Sequence, residues 1–360
     1  MRDIYDLAVR ELKESSDGSV KKEASDKTLV ICGSKGVGKS TLVNSFLQKD
    51  EQLKPTLALE YSFGYLNKGS EKEIGHVYEL GGGTWLSKLL STVLTPATVT
   101  RSTLVVMVDL TSPSSIWTIL DHLIATARSA CENSLDSMGK LSTFKEMAAD
   151  RFPKDHEDLK VQGLLRPFPI PFVIVGGKYD QFQAMEPEPR KNICRGLRFF
   201  ANTYGATLLF YSNRQEQLVS RASNFFTSIL FGSEFSRSPV FDPNKPLFIP
   251  VGSDSFQEIG PPPVSDQQMG FGRPSNPIIQ GPEHLWKESL TSLFPQSDKE
   301  KKESETELPK NPVSDPQFAE SIIDNLRKQK DVELERYRRA SERKTRDLSK
   351  TGGEMEDIYN

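Results

Sequence analysis

The chain is expected to fold as an α/β domain: a mostly parallel sheet with helices on both faces, a phosphate-binding loop after the first strand, and a long tail without a core of its own. Three observations predict this. Strand-like and helix-like segments alternate from Lys27 to about Gly232, and such alternation requires crossover connections between parallel strands. The first strand runs directly into Gly33-x-x-x-x-Gly38-Lys39-Ser40, the spacing at which inward-turned backbone N–H groups cradle a polyphosphate. Beyond Gly232 the sequence turns rich in Pro, Gly, Ser and Gln, with Pro-Pro-Pro at 261–263 and the charge run 298–303. Such sequence buries too little apolar surface to offset chain entropy.

In order along the chain, Met1–Glu14 places Ile4, Leu7, Ala8 and Leu12 on one helical face, so a short amphipathic helix (about residues 1–20) precedes the core. The domain proper then spans 27–232. Strands are expected at Thr28–Gly33, Leu57–Tyr65, His76–Leu80, Leu104–Leu110, Phe172–Gly176 and Ala206–Tyr211. Helices are expected at Lys39–Gln48, Thr84–Leu94, Ser114–Asn133, Pro187–Tyr204 and Gln215–Phe231. The charged stretch 134–166 reads as an insertion between two of these elements. Residues 233–312 read as a largely disordered Pro-rich linker with two docking islands, Pro246–Val251 and His284–Phe294. A distal amphipathic helix over 315–348 starts at Asp315-Pro316, Asp as N-cap and Pro at the first helical position. Its apolar face is Phe318, Ile322, Ile323 and Leu326, a candidate partner-binding stripe.

Composition narrows the function classes. A net charge of −3 over 360 residues supplies no basic field for nucleic acid. No window approaches the roughly 18–20 apolar residues of a membrane span. Cys32, Cys131 and Cys194 are odd in number and widely spaced, which suits free buried thiols in a reducing compartment better than disulfides or a metal centre. A cytosolic protein with protein partners is the expectation.

The loop nominates its own ligands. Gly33, Gly36 and Gly38 shape the cradle, Lys39 brings charge to the β- and γ-phosphates, Ser40 offers a hydroxyl to Mg²⁺, and Thr41 lies in the first turn of the helix whose positive end faces the anion. A Ras-like GTPase also needs a first-switch threonine on the metal, and Thr56 stands where it belongs. The second switch is normally Asp-x-x-Gly-Gln, the Gln orienting the attacking water. Here Val77-Tyr-Glu-Leu-Gly-Gly-Gly-Thr84 puts Glu79 for the aspartate, Gly82 for the glycine and Gly83 for the glutamine. Turnover is therefore not expected, although guanine nucleotide, GDP or GTP with or without Mg²⁺, can still bind; an empty site is the other expectation. In Val173-Ile-Val-Gly-Gly-Lys178-Tyr-Asp180, Lys178 would stack on a guanine and Asp180 would accept from its N1–H and amine, with Gly177 in the place of the usual Asn or Thr. A further base-contacting loop is expected near Ser212-Asn213-Arg214.

Taken together, the Gly-Ser-Lys-Gly-Val-Gly-Lys-Ser loop, the Glu-Leu-Gly-Gly-Gly-Thr-Trp second switch, the Gly-Gly-Lys-Tyr-Asp segment and a Ras-like core joined to a Pro-rich tail resemble the light intermediate chains of cytoplasmic dynein, on the ciliary, class 2 side of that family. The resemblance covers most of the chain. It implies a non-motor subunit that binds the dynein 2 heavy chain and works with other dynein 2 subunits and the intraflagellar transport machinery in retrograde transport and cilium assembly. It also implies a location in cytoplasm, cilium (axoneme and basal body), cytoskeleton and centrosome. In class 1 relatives the distal helix binds cargo adaptors. Two other classes stay open: a working GTPase switch, which Lys39, Ser40 and Thr56 permit and Glu79 and Gly83 disfavour, and an ATP-using P-loop enzyme, for which no acceptor or lid motif is found.

Overall fold

A computed structural model describes residues 26–49, 54–68, 71–160, 163–263, 282–295 and 320–356. The strands are β1 (Lys27–Gly33), β2 (Leu59–Lys68), β3 (Glu71–Leu80), β4 (Ser102–Asp109), β5 (Phe172–Gly177), β6 (Ala206–Phe210) and β7 (Phe248–Ile249). They form one sheet in the order β2-β3-β1-β4-β5-β6-β7. Pairing is parallel from β3 through β6, and the two rim strands, β2 and β7, run antiparallel to their neighbours. The helices are α1 (Lys39–Phe46), α2 (Leu90–Val93), α3 (Pro113–Ser137), α4 (Leu141–Ala149), α5 (Tyr179–Phe182), α6 (Pro187–Tyr204), α7 (Glu216–Phe231), α8 (Phe256–Ile259), α9 (Pro282–Leu293) and α10 (Ser321–Glu356).

Central strands β1, β4 and β5 are continuous apolar runs because both of their faces are covered. Alternation along β1 divides the core in two. Leu29 and Ile31 pack with Leu42 and Val43 of α1 and Phe225, Phe226 and Leu230 of α7. Val30 and Cys32 face the other layer, with Leu90 of α2, Trp117 and Leu120 of α3 and Phe200 of α6. Helix α3 starts with Pro113 and buries Ile116, Leu120, Leu123, Ala127 and Cys131 at helical spacing. All three thiols are buried and free, and burial pushes each up to about 12, so none is a nucleophile at neutral pH. Among the described residues no helix is long and apolar enough to cross a membrane.

Several boundaries differ from the expectation. The helix expected at Thr84–Leu94 is a 3₁₀ turn at Ser87–Leu89 followed by the four residues of α2; Gly82 and Gly83 adopt left-handed φ just before it, which delays helix initiation. Strand β3 starts at Glu71 rather than His76, because pairing with β2 extends through Glu71-Lys72-Glu73-Ile74-Gly75, where a single apolar residue gives no alternating signal. The supposed insertion at 134–166 begins inside α3, and its body is packed: Phe152 is buried and the Arg151 guanidinium donates to the carbonyls of Pro169 (2.7 Å) and Ile170 (2.9 Å).

The packed core does not stop at Gly232. Both islands dock on it. Leu247, Phe248 and Ile249 are buried, with Phe248 and Ile249 registering against Leu209 and Leu208 as the last strand of the sheet. Trp286 of α9 stacks on Phe199 at 4.9 Å and Leu290 is fully buried. Between them, the buried Asp254 carboxylate accepts two 2.7 Å hydrogen bonds from Arg198. The linker composition concealed this because few apolar residues carry it, each contributing a large side chain. Residues 264–281 and 296–319 lie outside the described residues, as do Met1–Glu14, Asp315, Pro316 and Phe318. Helix α10 belongs to a second unit, separate from the packed domain, and exposes Ile322, Ile323 and Leu326.

Candidate functional site

The loop between β1 and α1 sits at the carboxyl ends of the parallel strands, where open α/β sheets place ligands. Two glycines explain how the backbone gets there. A Cβ on Gly33 would lie 1.9 Å from the Met107 carbonyl oxygen of β4, and one on Gly177 would meet Val37 Cγ2 and Met107 Cε at 2.8 Å. Strands β4 and β5 therefore close directly onto the loop. The Asn or Thr usual at position 177 has no room here, which accounts for that departure from the guanine-reading motif.

Lys39 is 6% exposed, and its ammonium donates to the carbonyls of Gly33 (3.1 Å) and Ser34 (2.9 Å) across the mouth of the loop. Gly36 and Gly38 both take positive φ. Helix α1, with Ser40 and Thr41 in its first turn, has Gly38 at its N-cap and no side-chain cap, so its first N–H groups point into the cradle. The Ser34 hydroxyl is buried there without a hydrogen-bond partner. A phosphate fits the chemistry of these groups: uncapped N–H donors, an unpaired hydroxyl and a buried ammonium on one loop.

The metal side is equally compact. Ser40 Oγ donates to Glu79 Oε1 at 2.7 Å, Thr56 Oγ1 donates to the same oxygen at 3.1 Å, and the two hydroxyls lie 3.2 Å apart. Thr56 also reaches Glu60 Oε2 at 3.2 Å. The extra methylene of Glu79 over an aspartate lets its carboxylate reach both hydroxyls. These are hard oxygen donors, and a nucleotide-borne Mg²⁺ would be held by Ser40 and Thr56. The two switch segments are tied at the backbone as well, with Gly81 N–H donating to Ala58 O at 2.6 Å.

Glu79 is 4% exposed. Burial pushes its carboxyl above the ordinary carboxylate range, against the opposing pull of the Ser40 hydrogen bond, the Lys39 charge and the Thr56 hydrogen bond. The folded protein thus holds this proton more tightly than the unfolded chain does. That contribution to stability is complete below the unfolded value and is lost as pH rises through the raised folded one. Without nucleotide or magnesium, Glu79→Gln, which keeps Oε1 as an acceptor, is expected to melt higher than the parent near neutral pH. The gap should close as pH falls toward about 4.5. Melting curves of both proteins across that range check it, and a gap that widens on acidification contradicts it.

On the base side, Lys178 takes a left-handed backbone (φ 59) and its ammonium pairs with Asp109 Oδ2 at 2.6 Å. Asp180 Oδ1 accepts from Ser212 Oγ at 2.7 Å, and Arg214 Nη1 lies 3.5 Å from its Oδ2. The loop expected near Ser212-Asn213-Arg214 is thus brought against Asp180, as a guanine-reading corner requires. Asp109 was missed. Its signal was a carboxylate closing the wholly apolar strand Leu104–Val108, an arrangement that needs a partner when buried. Among the described residues no group of three His, Cys, Asp or Glu residues forms a metal cage. Of the distal stripe, Ile322, Ile323 and Leu326 lie in the second unit and Phe318 outside the described residues.

Comparison with known proteins follows the same lines. The family model described as Dynein light intermediate chain matches residues 6–160. The chain is 38% identical to the cytoplasmic dynein 2 light intermediate chain 1 of Danio rerio, covering 96% of this chain and 97% of that one. It is 40% identical to the protein of the same name from Homo sapiens, over 89% of each. The cytoplasmic dynein 1 light intermediate chain 1 of Rattus norvegicus is 25% identical over 72% of this chain and 56% of its own. Among solved structures, the crystal structure of the dynein light intermediate chain's conserved domain superposes with a TM-score of 0.51 at 16% identity, covering 79% of this chain and 99% of the other. That likeness shows the Ras-like fold.

Proposed function

Since the chain belongs to the dynein light intermediate chain family, we propose that it is the light intermediate chain subunit of a cytoplasmic dynein 2 motor, binding and stabilising the heavy chain for retrograde intraflagellar transport and cilium assembly. The supporting observation is identity of 38–40% over nearly the whole length of chains that bear that name. Other dynein 2 subunits and the transport machinery are the further partners of this reading. Cytoplasm, cilium, basal body and centrosome are its places of work.

Within that assignment the domains divide the labour. The core from β1 to α9 offers a preformed surface for lasting affinity, whereas a segment that orders on binding gives up free energy to do so. The experiment is capture of dynein 2 heavy chain by two halves of the protein expressed separately. The half ending at Pro295 is expected to co-purify with it, and residues 296–360 are not. Capture by the distal half alone contradicts the assignment. The stripe at Phe318, Ile322, Ile323 and Leu326 is then left for a separate partner.

We further propose that the loop holds a guanine nucleotide as a structural ligand, gripped by Gly33, Gly36, Gly38, Lys39, Ser40 and Thr41 at the phosphates and by Lys178 and Asp180 at the base. The uncapped helix α1 and the unpaired Ser34 hydroxyl support it. Magnesium, if it accompanies the nucleotide, supplies charge neutralisation between the phosphates. Ser40 and Thr56 orient it.

A further inference from the structure

Four side-chain oxygens crowd together where the switch segments meet the loop: Ser40 Oγ of α1, Thr56 Oγ1, Glu79 Oε1 near the end of β3 and Glu60 Oε2 of β2. Ser40 lies 2.7 Å from Glu79 and 3.2 Å from Thr56, and Thr56 lies 3.1 Å from Glu79 and 3.2 Å from Glu60. Four such contacts need four hydrogens. The two hydroxyls carry one each, and even a proton on Glu79 would leave one pair of oxygens with none between them. Charge adds to the strain, since both carboxylates approach the one Thr56 hydroxyl. Glu79 is 4% exposed, so solvent has little access to the centre of the cluster. A buried group of oxygens short of hydrogens is what a hard cation relieves.

The spacing agrees with that chemistry. Neighbouring oxygens around an octahedral Mg²⁺, each about 2.0–2.1 Å from the ion, lie about 2.9 Å apart. Ser40, Thr56 and Glu79 form a triangle with edges of 2.7, 3.1 and 3.2 Å, close to one face of such an octahedron. A hydroxyl that has donated its hydrogen still has lone pairs for a metal. The adjoining loop supplies the setting for an anion: α1 starts uncapped at Gly38, and the Ser34 hydroxyl, in a residue 3% exposed, is buried there without a hydrogen-bond partner. A carboxylate can act on a bound ion directly or through a water. One methylene more than the usual aspartate brings Glu79 Oε1 to the same spacing as the two hydroxyls.

We propose that Glu79 is a direct ligand of the divalent cation that accompanies the nucleotide, completing with Ser40 and Thr56 a face of three protein oxygens for it. This rests on the nucleotide reading above and extends it to the residue that stands in the place of the second-switch aspartate. Glu60 stays on Thr56 as a second carboxylate and holds the threonine in place. The backbone bond from Gly81 N–H to Ala58 O fixes the same two segments. Because the protein itself assembles the face, a nucleoside diphosphate suffices as the anionic partner.

The test uses the full-length protein with saturating GDP, and Mn²⁺ in place of Mg²⁺ so that electron paramagnetic resonance can be read. Line broadening in ¹⁷O-labelled water counts the waters on the ion. The parent is expected to carry one fewer than Glu79→Asp, whose shorter side chain leaves that position to solvent. Glu79→Gln keeps an acceptor oxygen for both hydroxyls but lacks the charge, and is expected to bind Mn²⁺ on the order of tenfold more weakly or worse. Equal water counts in the parent and Glu79→Asp overturn the proposal, since the carboxylate then acts through a water. Unchanged Mn²⁺ affinity in Glu79→Gln overturns it as well, and leaves Glu79 as a hydrogen-bonding tie between Ser40 and Thr56. The nucleotide reading is checked apart from the metal: GDP in the presence of a chelator should raise the melting temperature of the parent. If GDP has no effect with chelator or with Mn²⁺, both readings fall; if GDP binds and the water counts agree, only this one does.

Discussion

A chain ended at Gly232 is expected to lose its cooperative unfolding transition, whereas a chain ended at Pro295 keeps the melting behaviour of the full-length domain. The shorter chain sheds Leu247, Phe248, Ile249, Trp286 and Leu290, all buried. It also sheds Asp254, leaving the half-buried Arg198 without its carboxylate. Each fully buried large apolar side chain contributes roughly 1.5–3 kcal/mol, so these five together rival the whole net stability of an ordinary domain, about 5–15 kcal/mol. The exposed faces of Phe199, Phe210 and Phe225 that remain would favour aggregation. Calorimetry and near-ultraviolet circular dichroism of the two truncations decide the matter. A sharp, reversible transition in the chain ended at Gly232 would show that β7 and α9 only decorate a core complete without them.

Guanine nucleotide is expected to stabilise the protein and to be left almost unhydrolysed. Binding to the folded state alone adds about 2.7 kcal/mol at a hundredfold excess over Kd, and Lys39→Ala is expected to abolish that gain. Hydrolysis needs a residue that orients water, yet position 83 has no side chain, and the local backbone compounds the loss. Gly82 and Gly83 both take left-handed φ, of 73° and 61°, so Gly83→Gln would strain the turn by about 1–2 kcal/mol and is not expected to restore activity alone. Single-turnover rates should fall on the order of 10³-fold or more below those of GTPases with their full complement of catalytic groups. Turnover matching such enzymes contradicts the structural-ligand reading; GTP and GDP leaving the melting temperature unchanged contradicts nucleotide binding itself.

How much of this was readable beforehand depended on the scale of the signal. The strand, loop and helix from Lys27 to Phe46 declared themselves because continuous burial, glycine spacing and helical periodicity coincide there. The place of Lys178 and Asp180 directly after a strand was legible too, because that strand has no polar interruption. The end of the core was misread because β7 has two residues, too few for any periodicity, and because α9 sits beyond a run of prolines. Asp109 was missed because its partner Lys178 is distant in sequence. The exposed aromatic row of β2 was hidden differently. Tyr61, Phe63 and Tyr65 alternate as residues of a half-buried strand should, and only the finished layer of α2, α3 and α6 reveals that no described element covers them.

The rims of the sheet differ in length and chemistry. At one end, Phe248 of the two-residue β7 is already bridged to Val240 through its N–H and carbonyl, and Pro246 and Pro250 flank the strand, where proline cannot donate to an added one. At the other, β2 offers ten, without proline. Any joining of these domains strand to strand must therefore begin at the β2 end and finds a blunt stop at the other. Such assemblies can close as rim-to-rim pairs but find, among the described residues, no second open rim from which to lengthen. Destabilised forms of the protein should accordingly stall as dimers before they grow into fibrils.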